Sequence, residues 1–323
     1  MAKKKAKKRS QAPVALVYFI TLLLTLSLAG GLSYYLLKKY EIFKPASDDS
    51  KEDGTKSVNI LFARLSDRGD FEDLCVFRVD PFKKEIVIVP QPAVTKTSGG
   101  KQYKEVMKDS GMKGLERAVE ETLGVSIDNY ATVSDSAFEQ VADLMGGMSY
   151  TAPQELYHIS QESGKDDISI QKGDLVTLTG RQIRNLMTLS NLFNDSKQGN
   201  LTFQGLALEG VVNNGFRQNT MLKDNLFNIY EILTKNSDTD ITKEVFNKLK
   251  RYLNDMLEER DIPARNMAPQ GYWNNDYTAF TMKNDYIASV QDAFGVKKQS
   301  SQNAQTTKPT EPPPSEPSSS SSK

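Results

Sequence analysis

The chain has 323 residues, room for one large domain or two small ones, and its 41 basic and 41 acidic side chains leave no net charge to draw it to nucleic acid. One cysteine, Cys75, excludes an intramolecular disulfide, and one histidine, His158, excludes a His-rich zinc site. No Ser-His-Asp set, glycine-rich phosphate loop or cysteine pair of zinc spacing appears.

Charge gathers first at the N-terminus. Lys3, Lys4, Lys5, Lys7, Lys8 and Arg9 make residues 1–12 a basic head, and residues 13–37 are uncharged and mainly apolar. A helix rising about 1.5 Å per residue crosses the roughly 30 Å hydrocarbon core within such a segment, so one N-terminal transmembrane helix is expected. The positive-inside rule makes the head cytoplasmic and the remainder extracytoplasmic. Ser27-Leu28-Ala29 offers a small-x-small cleavage site, but the apolar run continues through Tyr34-Tyr35-Leu36-Leu37, beyond an ordinary signal-peptide core. An uncleaved anchor is the preferred reading. Residues 38–57, with Asp48, Asp49, Glu52 and Asp53, read as a juxtamembrane linker.

Residues 58–62, 74–79 and 86–89 are short runs rich in Val, Ile, Leu and Phe, and read as strands. Asp80-Pro81 with Lys83-Lys84 makes a hairpin turn between the second and third, while residues 64–73 are too polar to be core. A helix is expected over residues 101–124, broken near Gly111 and Gly114. A strand at 130–133 precedes a helix over 136–145, capped by Ser134 or Asp135 and stopped by Gly146-Gly147. Strands at 148–151 and 168–170 bracket a polar loop, residues 154–167, that holds His158. Thr179 caps a helix from 180 to about 189, and helical periodicity returns over 203–212, 221–233 and 241–257, the last with Ile241, Val245, Leu249 and Leu253 as an apolar stripe. This alternation predicts an α/β fold, one mixed-sheet domain over residues 58–297 with helices on both faces. Residues 298–323, ending PPPSEPSSSSSK, have little to bury and read as a disordered tail.

Several of these stretches resemble one family. Asn59-Ile60-Leu61-Phe62-Ala63 is similar to the opening N-I-L-L-L-G strand of the LytR-CpsA-Psr proteins, membrane-anchored enzymes that move wall polymers from a polyprenyl carrier onto peptidoglycan. Phe71-Glu72-Asp73-Leu74 falls where that family has R-S-D-T, and Val89-Pro90-Gln91-Pro92 where it has I-P-R-D. Gly114 to Tyr130 resembles the helix leading into the family's "lGv.id.Y", Phe138 to Gly147 its "F..lVd.lGGv", and Gly271-Tyr272-Trp273 its closing hairpin. The resemblance implies the family's α/β domain and a Gram-positive-type cell envelope.

The same alignment implies a loss of chemistry. The family's transfer from a diphosphate uses several arginines and aspartates, commonly with magnesium, because planar guanidinium forks grip phosphate and stay charged. Here the arginine of the first motif is Phe71, the Arg-Asp pair of the second is Gln91-Pro92, and later positions fall on Thr188, Ser190, Asn200, Phe203 and Leu206. Sliding the alignment recruits Arg181 or Arg184, with Asp195 for Asn200, without restoring the set. Asp73 keeps its motif position. The remaining binding candidates are Arg64, Asp67, Arg68 and Gln91, with Asp73 for any metal; against them stands the reading of a solvated inter-strand loop. Trp273, Tyr272 and Tyr277 could stack on sugar, but such aromatics more often pack. Cys75, within an apolar strand, reads as a buried inert thiol.

Two functions are therefore weighed. One is a catalytically degenerate accessory or regulatory protein that binds a polyprenyl-phosphate lipid, wall glycan or an active relative. The other is a working phosphotransferase with relocated charges and magnesium. Transcriptional regulation, suggested by older family names, is opposed by a topology that leaves about a dozen residues in the cytosol.

Overall fold

A computed structural model describes residues 56–159, 167–189, 192–193, 196–235, 237–259 and 262–296. The expected head, anchor, nearly all of the linker and the tail lie outside the described residues. Among the described residues, no helix is long and apolar enough to cross a membrane.

In chain order the elements begin with β1 (Val58–Leu65), β2 (Phe71–Asp80), β3 (Glu85–Pro92), α1 (Tyr103–Leu123), β4 (Asn129–Ser134) and α2 (Asp135–Leu144). Then come β5 (Met148–Thr151), β6 (Leu156–His158), β7 (Ile168–Ile170), β8 (Leu175–Leu178) and α3 (Gly180–Thr188). Next are α4 (Ser196–Arg217), α5 (Asn219–Thr234) and α6 (Lys243–Leu257). The described part closes with β9 (Ala264–Asn266), β10 (Gly271–Trp273), β11 (Phe280–Met282) and α7 (Asn284–Ala293).

The central sheet has the order β4-β1-β2-β3-β9. Antiparallel β1, β2 and β3 form a meander, and β4 and β9 add in parallel at its edges. Near-continuous apolar strands need cover on both faces, and both are covered. Ile60, Cys75, Val79, Ile86 and Ile88 point into a core shared with α3, α4, α5 and α6. Leu61, Leu74, Val76, Val87 and Val89 point the other way, toward α1, α7 and the β10–β11 hairpin. The predicted mixed-sheet α/β domain with helices on both faces is the fold observed.

Local sequence explains the joints. Asp80 Oδ1 accepts from the N–H groups of Phe82 and Lys83 at 3.1 and 3.0 Å, closing the β2–β3 turn. The expected break in α1 falls at Gly111, where φ is 62° and ψ is −164°. Ser134 and Thr179 cap α2 and α3 through the N–H groups of Ala137 and Gln182. Gly147 has φ of 69°, and a Cβ there would stand 2.0 Å from the Leu178 carbonyl oxygen, so the β5–β8 pair needs glycine at that point.

Two expectations are corrected. Residues 64–73 are not a polar loop: β1 runs through Leu65 and β2 begins at Phe71, leaving a short turn at 66–70. Arg64 and Asp73 are only 5% and 7% exposed. They lie directly across the ladder from each other, so their opposite charges permit what each alone would forbid. Residues 154–167 likewise contain β6, because Leu156, fully buried, pairs with Ile170; His158 ends that strand instead of sitting in a loop.

Candidate functional site

Between the first sheet face and the helices lies a cavity of about 270 Å³. The sheet contributes Ile60, Phe62, Cys75 and Phe77, α2 contributes Phe138 and Val141, and α4, α5 and α6 supply further aliphatic and aromatic side chains. Smaller voids with such a lining stay dry and take apolar ligands. At one end the apolar lining gives way to Arg64 and Asp73.

Arg64 is tied down completely on its β2 side. Its Nε and Nη2 donate to Asp73 Oδ2 at 3.0 and 2.6 Å, and Nη1 donates to Asp135 Oδ1 at the start of α2. Burial works against the charged guanidinium, but Asp73 and then Asp135 outweigh it and hold its pKa above the ordinary value. Gln204 of α4 adds a 3.4 Å contact from Nε2 to Asp73 Oδ2 and another to Asn200 Oδ1. Glu72 stands near this cluster. Burial raises its carboxyl pKa, and the charges of Asp135, Asp73 and Asp70 add to that against the pull of Arg64.

The candidate residues are not one group. Arg64 and Asp73 meet at the cavity. Asp67 accepts at Oδ1 from the Ser136 N–H at 3.0 Å and borders an open polar hollow beyond the cavity end. Arg68 is exposed in the turn. Gln91 is fully buried, but the ladder pairs it with Leu74, and strand alternation turns it to the opposite sheet face, where neither amide atom finds a partner. Arg184 pairs with Glu139 at 2.9 Å and Arg181 approaches the same carboxylate at 3.7 Å. Asn200 donates to the Leu186 and Met187 carbonyls, which makes it a helix-joining residue. Ser190 and Asp195 lie outside the described residues.

Asp135 and Gln204 join the site without having been singled out by sequence. An acid in the first turn of a helix has a sufficient local explanation, and nothing in the chain's periodicity pairs it with an arginine on a distant strand. Trp273 packs on Phe280 with ring centroids 5.1 Å apart, whereas Tyr272 is exposed beneath the Lys283 ammonium. Burial first, then the Asp73 charge, pushes the Cys75 thiol well above its ordinary pKa, which leaves no thiolate for chemistry.

Magnesium prefers uncommitted oxygen ligands in near-octahedral array. Asp73 Oδ2 already accepts from Arg64 and Gln204, and the guanidinium lies against both Asp73 and Asp135. Each acid thus commits one oxygen, Asp73 Oδ2 and Asp135 Oδ1, to a guanidinium whose positive charge stands between them, which weighs against a divalent cation held by both.

Known proteins place this geometry in context. Polyisoprenyl-teichoic acid–peptidoglycan teichoic acid transferase TagU of Bacillus licheniformis is 22% identical over 184 residues, 55% of this chain and 57% of that protein. The chain thus spans little more than half of that relative's length. The crystal structure of B. subtilis TagV matches with a TM-score of 0.58 at 18% identity, over 75% of this chain and 97% of that one. TagT bound to LI-WTA matches with a TM-score of 0.55 at 14% identity, over 77% and 93%. At these identities the structures share a fold. Residues 50–295 match the LytR_cpsA_psr family from the strand before the first motif to the last helix, and the chain belongs to that family.

Proposed function

We propose that this protein works in cell-envelope polymer biogenesis as a membrane-anchored, extracytoplasmic binding factor that holds a lipid-linked wall precursor without transferring its polymer. The observation that carries the reading is an apolar cavity ending in a guanidinium already neutralised by two carboxylates. Transfer from a diphosphate needs cations free to stabilise developing charge. Arg64 is the one cation lining the cavity among the described residues, and all three of its nitrogens already donate to Asp73 or Asp135, whose charges offset its own. The apolar lining suits an isoprenoid tail. A relative named for polyisoprenyl-linked teichoic acid and another bound to LI-WTA support that substrate class. Residues 13–37 would hold the protein in the membrane, with the N-terminus cytoplasmic, and its partners would be the carrier lipid, wall glycan or an active relative.

One observation favours the second reading, an active phosphotransferase. Arg64 stands directly across from Asp73, next to the motif position where Phe71 replaced an arginine. Purified full-length protein with a polyprenyl-pyrophosphate glycan, peptidoglycan and magnesium separates the two. The expected result is bound carrier and no polymer attachment. Attachment that disappears in Asp73→Asn would establish the transferase instead.

A further inference from the structure

The charged end of the cavity is occupied by the chain itself. A buried arginine beside a helix N-terminus is an arrangement that ordinarily receives an anion, since guanidinium forks and free N–H groups both point at it. Here each of the three guanidinium nitrogens, and two N–H groups of the helix start, already has an internal acceptor. Arg64 Nε and Nη2 serve Asp73, and Nη1 serves Asp135. In the first turn of α2, the Ser136 N–H is taken by Asp67 at 3.0 Å and the Ala137 N–H by Ser134 Oγ at 3.1 Å. One positive charge thus faces two carboxylates, with Glu72 close by, so a phosphate arriving at this closed arrangement meets net repulsion.

The position of Asp135 gives that occupation a purpose. Val133 lines the apolar cavity, whereas Ser134, Ser136 and Ala137 line the polar hollow together with Leu65, Ser66 and Asp67. Tyr230, Leu233 and Thr234 of α5 border both spaces. The Arg64–Asp135 pair therefore links an arginine that lines the apolar space to a helix start whose neighbours, Ser134 and Ser136, line the polar one.

The two acids holding Arg64 are unequal. Asp73 takes two guanidinium donors and a Gln204 contact, and its side chain is 9% exposed on a central strand. Asp135 takes one donor, is 13% exposed, and begins a helix whose dipole favours an acid there wherever the carboxylate swings. Asp135 is the partner that leaves more easily.

We propose that the Arg64–Asp135 ion pair is a latch across the ligand site. An amphiphile with a phosphate head places its tail in the cavity and its head in the hollow, and the phosphate replaces Asp135 on Arg64 Nη1 while Asp73 stays bound. The carboxylate of Asp135 is then an internal competitor that lowers affinity for phosphate-bearing lipids without affecting the tail. This rests on the reading that the cavity takes a lipid.

The test uses the full chain in detergent micelles with geranylgeranyl phosphate and geranylgeraniol, which share a tail and differ in the head. Wild-type protein should bind the two within about threefold, because the latch cancels most of the head-group advantage. Asp135→Asn should bind geranylgeranyl phosphate at least about tenfold more tightly and leave geranylgeraniol unchanged, as removal of a competitor requires. Asp109→Asn removes an equal charge from exposed α1, lines neither space and frees no Arg64 donor, and should move either affinity by less than about twofold. An unchanged phosphate-to-alcohol ratio in Asp135→Asn, or an equal gain in Asp109→Asn, overturns the latch while leaving the cavity reading intact. Binding of neither compound to any of the proteins overturns the cavity reading, and the latch with it. Asp135→Ser, which keeps a small polar side chain at the start of α2, supplies the same comparison should the amide variant fail to fold.

Discussion

Replacing Arg64 with methionine tests whether the buried cluster is one electrostatic unit. The substitution keeps an unbranched side chain but leaves Asp73 and Asp135, 9% and 13% exposed, facing each other with no charge between them. Breaking a buried ion pair by removing one partner costs about 3–5 kcal/mol, chiefly because the remaining charge is stranded. Asp135 can turn toward the polar hollow, which places the cost toward the lower half of that range. A domain of this size loses roughly 2–4 °C of melting temperature per kcal/mol, so the variant should melt about 6–15 °C below wild type. The fluorescence of Trp273, the single tryptophan, follows unfolding in urea or heat with the full chain in detergent. The triple variant Arg64→Met, Asp73→Leu, Asp135→Ser removes both stranded charges and should recover most of the loss, since apolar replacement of a whole buried ion cluster is commonly neutral or stabilising. A loss below about 1 kcal/mol in Arg64→Met, the value of an exposed pair, would refute the reasoning. A triple variant no more stable than Arg64→Met would refute it as well.

Two further outcomes follow from single side chains. Gln91 is fully buried with neither amide atom partnered, a condition that costs about 1–3 kcal/mol; Gln91→Met should therefore raise the urea midpoint, and a lower midpoint would mean that the amide has a partner in solution. Glu72 binds its proton more tightly folded than unfolded, so its contribution to stability falls as pH rises from the ordinary carboxylate range through the raised value. Glu72→Gln should accordingly melt above wild type near neutral pH and lose that advantage in acid, as read from melting curves across pH.

The fold was largely legible because its core strands are long apolar runs, 58–62, 74–79 and 86–89, bounded by turn chemistry such as Asp80-Pro81. Helix starts were equally local: Ser134 and Thr179 announce their helices through side chains that cap them. What failed was the assignment of charged residues at strand ends. Arg64 and Asp73 look like loop residues when read singly, and only cross-strand register reveals that each hides the other. Leu156 was submerged in a polar neighbourhood and needed Ile170 to define its strand. Gln91 shows the reverse case. Its motif position set it beside Arg64 and Asp73, yet the period of two, counted from the pairing of Asp73 with Pro92, already sends it to the other face. Asp135 was beyond reach, because its partner lies 71 residues away and its helix start explains it completely.

That residue decides how the loss of the motif arginine should be understood. By the motif alignment Phe71 stands where the family has an arginine, and the register shift beside Leu65 lets Phe71 pack into the second core. Arg64, on the neighbouring strand, brings a guanidinium back to within 2.6 Å of the motif aspartate. Had only Asp73 held it, Arg64 would keep an Nη1 donor pair aimed away from the strand and free for a phosphate oxygen, and a relocated active site would be the economical conclusion. Asp135 takes one donor of that pair and turns the local charge from balanced to negative. On the proposed latch, an anionic head group gains Arg64 Nη1 only when the Asp135 carboxylate withdraws. A binding factor of that kind selects lipids by their heads, and the polymer-attachment assay separates it from a transferase.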